Sequence, residues 1–159
     1  KLKANGQKLI AMKALIQRVT HAKVEIGGQV SGEIGQGLLV LIGITHEDDD
    51  KDIDWLVNKL CKLRIFNDSD GKMNLSVADV GGDILVVSQF TLHADTKKGT
   101  RPSYIKAARP EVAVPLYERF LERLRNSFSG KVATGEFGAM MNVSLLNDGP
   151  VTIMLDTEK

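Results

Sequence analysis

Leu38-Leu39-Val40-Leu41-Ile42-Gly43-Ile44 is apolar without interruption. A strand with one wet face alternates apolar and polar residues. A run with no polar position belongs to a strand buried on both faces. This segment is therefore expected at the centre of a sheet with material packed on either side. Ile84-Leu85-Val86-Val87, continuing through Ser88 and Gln89 to Phe90, reads as a second buried strand. Upstream, Ala14-Leu15-Ile16-Gln17-Arg18-Val19 reads as a strand. Val24-Glu25-Ile26 and Val30-Ser31-Gly32-Glu33-Ile34 flank Gly27-Gly28, a two-residue hairpin signal.

Two helices punctuate these strands. Ile53, Leu56, Val57, Leu60 and Cys61 recur at spacings of three and four and make one apolar stripe, with Trp55 off it in a partly exposed or partner-facing position. The acidic run Asp48-Asp49-Asp50-Lys51-Asp52 precedes that helix, where negative charge favours the positive end of the dipole, so it reads as a capped start and not a metal site. Ala113, Leu116, Tyr117, Phe120, Leu121 and Leu124 form the second stripe. A start at Pro110 leaves Pro115 inside the helix without its hydrogen bond, so a start near Val112 is expected, with Gly130 closing the region. Lys131 to Thr134, Asn142 to Leu146 and Val151 to Leu155 read as further strands. The order argues for an α+β single domain: mostly antiparallel or mixed β-sheets with two main helices.

A chain of 159 residues suffices for one domain with a real core. Aromatic residues are only 5%, so the core is aliphatic and an extended platform of stacked rings is disfavoured. The formal charge of +1 lacks the basic excess of proteins that grip long stretches of phosphate, so any nucleic-acid contact should be local. A single cysteine, Cys61, cannot staple the fold and reads as a small core hydrophobe in a reducing, cytoplasmic compartment. No window approaches the ~18 apolar residues of a membrane span. Residues 1–11 make a poor secretory signal, and Met12 looks like a natural start. They are expected to be an added or disordered leader, with the domain running over residues 12–159.

Familiar catalytic clusters are missing. Ser88 is not in a Gly-x-Ser-x-Gly elbow. His21, His46 and His93 have no zinc spacing, and His93 reads as a surface residue. Asn67-Asp68-Ser69-Asp70-Gly71-Lys72 is a turn; Phe66 and Val77 stand where calcium ligands would be needed. Gly32-Glu33-Ile34-Gly35-Gln36-Gly37 precedes a strand instead of following one into a helix, so it is no dinucleotide fingerprint. No metal and no cofactor are expected.

Three segments remain. Ser88-Gln89-Phe90-Thr91-Leu92 ends a strand, where main-chain N–H groups can hold an oxyanion. Asn147-Asp148-Gly149-Pro150-Val151-Thr152 sets a Gly-Pro pair between two strand-like runs, a place for a cis bond and outward carbonyls. Lys97, Lys98, Arg101, Lys106 and Arg109 fall in a stretch without an acid, either a solvated loop or a phosphate-facing rim.

Through these segments the chain closely resembles the D-aminoacyl-tRNA deacylases. The likeness is carried by Ala14-Leu15-Ile16-Gln17-Arg18-Val19, Gly37-Leu38-Leu39-Val40, Arg64-Ile65-Phe66, Gly71-Lys72-Met73-Asn74, Gly99-Thr100-Arg101-Pro102-Ser103, and above all by Ser88 to Leu92 and Asn147 to Thr152. It runs from Met12 to about Thr157. The resemblance implies a homodimer with the site at the subunit interface, acting on the aminoacyl-tRNA 3′ end. Gly149-Pro150 then matches a cis motif that admits D-residues and glycine and clashes with L-side chains. Arg18 matches the arginine that orients the motif. Phe137, with Ala139 and Met141, matches the stretch near the terminal adenosine. Ser88, Gln89, Phe90 and Thr91 match the catalytic segment. Thr91 is a former candidate nucleophile, whereas the ribose 2′-OH, with main-chain N–H groups near Gln89 and Phe90, is the reading favoured here. Lys97, Lys98 and Arg101 are then candidates for the acceptor stem. Two rivals stay open: nucleic-acid binding without catalysis, a role linked in some relatives to DNA replication origins, and hydrolysis of small-molecule esters.

Overall fold

The structure, a computed structural model, describes residues 2–7 and 10–157. The chain opens with strand β1 (Lys13–Ile26), hairpin partner β2 (Gln29–Ile34) and β3 (Gly37–Gly43), followed by helix α1 (Asp50–Lys62). A small hairpin, β4 (Phe66–Asn67) with β5 (Met73–Leu75), leads to β6 (Asp83–Ser88) and a 3-10 turn (Phe90–His93). Helix α2 (Pro110–Ser127), β7 (Val132–Thr134) and β8 (Asn142–Asp156) complete it. The main sheet runs β2-β1-β3-β6-β7, with β8 on the remaining edge of β1. The β3–β6 and β6–β7 pairs are parallel and the others antiparallel, so the sheet is mixed, as the element order implies.

The uninterrupted run in β3 has its expected cause. Leu38, Val40 and Ile42 face the core beneath the two helices, together with Ile84 and Val86 of β6. Leu39 faces a second core with Leu85 and Val87, closed by Val19, Val24, Ile34 and Ala133. The second core exists because the sheet curls: the Ser31 hydroxyl of β2 donates to the Thr134 carbonyl of β7 at 3.1 Å. At Gly32 a Cβ would lie 2.7 Å from that same oxygen. Each β3 side chain thus finds apolar neighbours whichever way it points.

Several expectations are corrected. Residues 14–19 and 24–26 belong to one long strand, β1, which pairs first with β3 and then with β2 along one edge. The two C-terminal strands are likewise one, β8, interrupted only by a bulge. The buried strand after Ile84 stops at Ser88; Phe90 instead opens the 3-10 turn. Helix α2 begins at Pro110, where a missing N–H is harmless, and ends at Ser127 ahead of Gly130. Pro115 does sit inside it, on the exposed side, where water can take the freed carbonyl. His93 is buried and not a surface residue. The acidic run is a cap: Asp49 accepts from the Lys51 and Asp52 main-chain N–H groups, and the Asp52 carboxylate accepts from Asp49 N–H at 2.9 Å. Trp55 is half-buried against the core, with the Lys59 ammonium 5.3 Å from its ring centre. Ala11 and Met12 are both buried, and Met12 N–H donates to the Asp48 carboxylate at 2.9 Å.

Candidate active site

Parallel pairing of β6 with β3 brings Ser88 opposite Ile42. The Gln89 N–H extends that ladder, donating to the Ile42 carbonyl at 2.7 Å. The chain then turns into the 3-10 segment. Leu92 N–H returns to the Gln89 carbonyl, and Ala94 N–H to the Thr91 carbonyl. Among the described residues, the Phe90 and Thr91 N–H groups have no hydrogen-bond partner. A strand has handed over to a turn, leaving two adjacent donors outside both ladders. One sequence expectation is narrowed here, because the Gln89 N–H is committed to the sheet. The Gln89 side-chain amide donates to the Thr91 hydroxyl.

Beside this turn lies a cavity of about 310 Å³. Its floor is Ile42, Ile44, Val87 and Val143; its walls are Ser88, Gln89, Phe90, Ala108 and Ala113; residues 137–141 close the remaining side. The structure therefore gathers Ser88, Gln89, Phe90, Phe137, Ala139 and Met141 of the expected residues into one site. Phe137 is held from behind by Tyr117 of α2, ring centres 5.6 Å apart. Burial pushes the Tyr117 hydroxyl up to about 12, so it stays protonated and inert. Not one residue lining the cavity carries an ionisable side chain.

The other expected residues lie outside the lining. Thr91 is exposed and tied to Gln89. Lys97, Lys98 and Arg101 are exposed on the loop between the 3-10 turn and α2. Gly149 and Pro150 are exposed in β8, and the bond between them is cis. They form a bulge: Val19 pairs with Asn147 and Gln17 with Thr152, so residues 148–151 all stand opposite Arg18. Arg18 is buried under that bulge. Its Nη1 donates to the Ile65 carbonyl at 2.7 Å, and its Nε donates to the Asp148 carbonyl and pairs with the Asp148 carboxylate, each at 3.2 Å. The Asn147 amide staples the bulge from the other side, donating to the Arg18 and Val151 carbonyls. Residues 15–156, which include every segment of this site, match the family model described as D-Tyr-tRNA(Tyr) deacylase.

This chain belongs to the D-Tyr-tRNA(Tyr) deacylase family. It is 59% identical over 148 residues to a D-aminoacyl-tRNA deacylase of Akkermansia muciniphila, covering 93% of this chain and 99% of that one. It is 58% identical over 147 residues to one of Bacteroides thetaiotaomicron, covering 92% and 98%. A solved structure described as a c-Myc DNA unwinding element binding protein superposes with a TM-score of 0.85 at 45% identity, covering 90% of this chain and 97% of that one. Another, described as a "probable eukaryotic D-amino acid tRNA deacylase", shares the fold with a TM-score of 0.79 at 19% identity, covering 92% and 100%.

Within this deacylase-family site, Ile42, Ile44, Val87, Ala108, Ala113 and Val143 carry no sequence signal that separates them from core residues. They line the cavity only because the ends of β3 and β6, the start of β8, and the first turn of α2 with the loop before it lie near one another. Among the described residues, no three His, Cys, Asp or Glu side chains converge as metal ligands, and no helix is long and apolar enough to cross a membrane. His93, near the site in sequence, closes the 3-10 turn with its side chain buried. Burial depresses its pKa, opposed by the Gly43 carbonyl, and it does not line the cavity.

At Gly149 the backbone φ is +120°, and a Cβ there would lie 2.7 Å from the Arg18 guanidinium and 2.9 Å from a Val151 methyl. Gly149→Ala is expected to cost about 1–3 kcal/mol in local strain and to displace residues 148–151. The expected readout is a loss of tenfold or more in deacylation with a Tm change of only a few degrees. Wild-type turnover in that variant would show that the position of the bulge is irrelevant to activity.

Proposed function

We propose that this protein hydrolyses the ester between a D-amino acid and the 3′-terminal ribose of tRNA, releasing free D-amino acid and tRNA, and that it also removes mischarged glycine. One observation carries the chemistry: a cavity with no ionisable side chain, walled by Phe90 at the turn where the adjacent Phe90 and Thr91 main-chain N–H groups are left unpaired. The one hydroxyl in the lining, that of Ser88, has no ionisable side chain beside it to act as its base, so proton transfer falls to the substrate's own 2′-OH and water. The Phe90 and Thr91 N–H groups stabilise the developing oxyanion, a contribution of about 2.7–4 kcal/mol per donor where such donors have been removed. Water adds across the ester: its hydroxyl goes to the acyl carbon and its proton ends on the ribose 3′-oxygen.

Selection in this reading belongs to Gly149-Pro150. The motif does not line the cavity of its own chain, which fits a homodimer in which it reaches the partner's cavity. There its main-chain atoms meet the substrate's α-amino group and exclude an L-side chain. Lys97, Lys98 and Arg101 meet the acceptor stem by charge, and the tRNA substrate places the work in the cytoplasm.

The deciding experiment compares matched D- and L-aminoacyl-tRNA, and the same D-ester on tRNA ending in a 2′-deoxyribose. Rapid loss of the D-ester, persistence of the L-ester and persistence of the deoxy substrate are expected. Equal hydrolysis of both mirror images, or of an ester without the 2′-OH, favours the small-molecule esterase. Thr91→Ala is expected to retain activity within about threefold, because its hydroxyl lies outside the cavity; side-chain general catalysis or nucleophilic attack is worth 10²–10⁴-fold. A loss on that scale restores Thr91 as nucleophile.

Charge reversal at Lys98 and Arg101 together is expected to raise KM about tenfold or more at low salt, with kcat little changed, and the effect should fade as salt rises. An unchanged KM removes the loop from tRNA binding. The same loop is where duplex DNA would bind under the rival suggested by the DNA unwinding element binding relative. Salt-dependent duplex affinity measured beside deacylation separates the two.

A further inference from the structure

We propose that Phe90 and Tyr104 form a stacking subsite for the penultimate base of the tRNA 3′ strand, the one preceding the terminal adenosine. This rests on the reading that the cavity takes the aminoacylated 3′ end. The chain has only eight aromatic residues: one Trp, two Tyr and five Phe. Among the described residues just two are exposed, Phe90 at 53% and Tyr104 at 41%. They lie in different segments, yet their rings meet edge to face, centres 5.1 Å apart and planes at 78°. In that arrangement one ring presents its edge to the other's face, so the pair does not use up the faces of both rings, and both residues remain substantially exposed. A wet aromatic pair is costly surface unless something covers it.

Position identifies the occupant. Phe90 lines the cavity, so the pair begins at its rim. A cavity of about 310 Å³ is at the small end for a single ligand; it holds the reacting end, and the strand carrying that end has to leave across the rim. Tyr104 belongs to the acid-free loop that bears the exposed Lys97, Lys98 and Arg101, so an aromatic step is followed by cations suited to phosphates. Lys106 of the same loop is turned to Asp95, with 3.3 Å between charged atoms, and leaves the other three to face the strand. A single-stranded segment is bound in this manner: bases on ring faces, phosphates on lysine and arginine. Every base has a π-face, so the step tolerates any base.

The test uses Tyr104→Ala and Tyr104→Phe on two substrates: D-aminoacyl-tRNA and 3′-O-(D-aminoacyl)adenosine, which lacks the penultimate nucleotide. Tyr104→Ala is expected to lose about tenfold in kcat/KM on the tRNA, chiefly through KM, in line with the loss of one base–ring stack. It should be unchanged on the adenosine ester, and Tyr104→Phe should behave as wild type on both. Wild type should lose the same tenfold when the penultimate nucleotide of the tRNA is abasic, with no further loss in Tyr104→Ala. Equal loss on both substrates, or no loss on either, overturns the subsite. So does a changed oligomeric mass of Tyr104→Ala in sedimentation, which assigns the pair to a contact between copies of the chain. If wild type cleaves neither substrate, the proposed function fails and the subsite with it; activity on both with an inert Tyr104→Ala sinks the subsite alone.

Discussion

Arg18→Ala is expected to lower kcat/KM on D-aminoacyl-tRNA by about a hundredfold, the scale of a misplaced reacting geometry, while the fold survives. The guanidinium is 6% exposed and bridges elements distant in sequence: the Ile65 carbonyl on one side, the Asp148 carbonyl and carboxylate on the other. Its removal leaves those carbonyls without their charged donor and the four-residue bulge without its anchor. Hydrogen bonds to charged groups are worth about 1.5–3 kcal/mol, so stability should fall by about 2 kcal/mol, a Tm decrease of roughly 4–8 °C for a domain of this size. Asp148 is partly exposed, so its carboxylate can be hydrated and the loss stays below that of a fully buried ion pair. Arg18→Lys keeps the charge but not the planar fork that reaches both partners at once, so it should recover stability more than activity. Under the proposed function Arg18 acts through residues 148–150, so the D-to-L rate ratio should fall along with the rate. A variant that is slow but as selective as wild type would show that Arg18 holds up the fold and nothing more.

Gly37→Ala is expected to be the most damaging small substitution in the chain. Gly37 faces Asp83 in the central parallel pair. A Cβ at Gly37 would lie 1.8 Å from the Asp83 carbonyl oxygen, far inside contact distance, and both atoms belong to backbone held by the sheet. No side-chain rotation relieves such an overlap; β3 has to move from β6, and both cores share those strands. A loss above about 4 kcal/mol and a Tm decrease of more than about 10 °C are expected, read by thermal unfolding. Gly35→Ala is the control. It sits two residues earlier in the same glycine-rich segment, where an added Cβ meets nothing within 4 Å. It should stay within about ±0.5 kcal/mol of wild type. Similar behaviour of the two variants would mean that β3 and β6 approach less closely at this point.

The contrast between these two glycines shows what a sequence reading can reach. From Gly32 to Gly37 the chain says only that a strand follows and that no nucleotide fingerprint is present. Which glycine is obligatory depends on the Asp83 carbonyl, 46 residues away. Helix α2 shows the same limit. Local rules disfavour Pro115 in a helix interior, but the apolar stripe from Ala113 to Leu124 buries against the sheet and holds the helix through it. Packing of that face outweighs one lost hydrogen bond. From the chain alone His93 reads as a surface residue; the turn instead folds it inward against Gly43.

Local chemistry alone established the elements. Uninterrupted β-branched and aliphatic runs need two apolar faces, acidic residues cap α1, and Gly27-Gly28 takes the positive φ of a tight turn. Tertiary structure decided the rest: that β1 and β8 are single strands, that four residues of β8 bulge opposite Arg18, that Gln89 N–H joins the ladder while Phe90 and Thr91 are left open, and that one cavity gathers residues from 42 to 143. These depend on strand register, and register is set by how distant apolar faces fit together, which no short stretch of chain encodes.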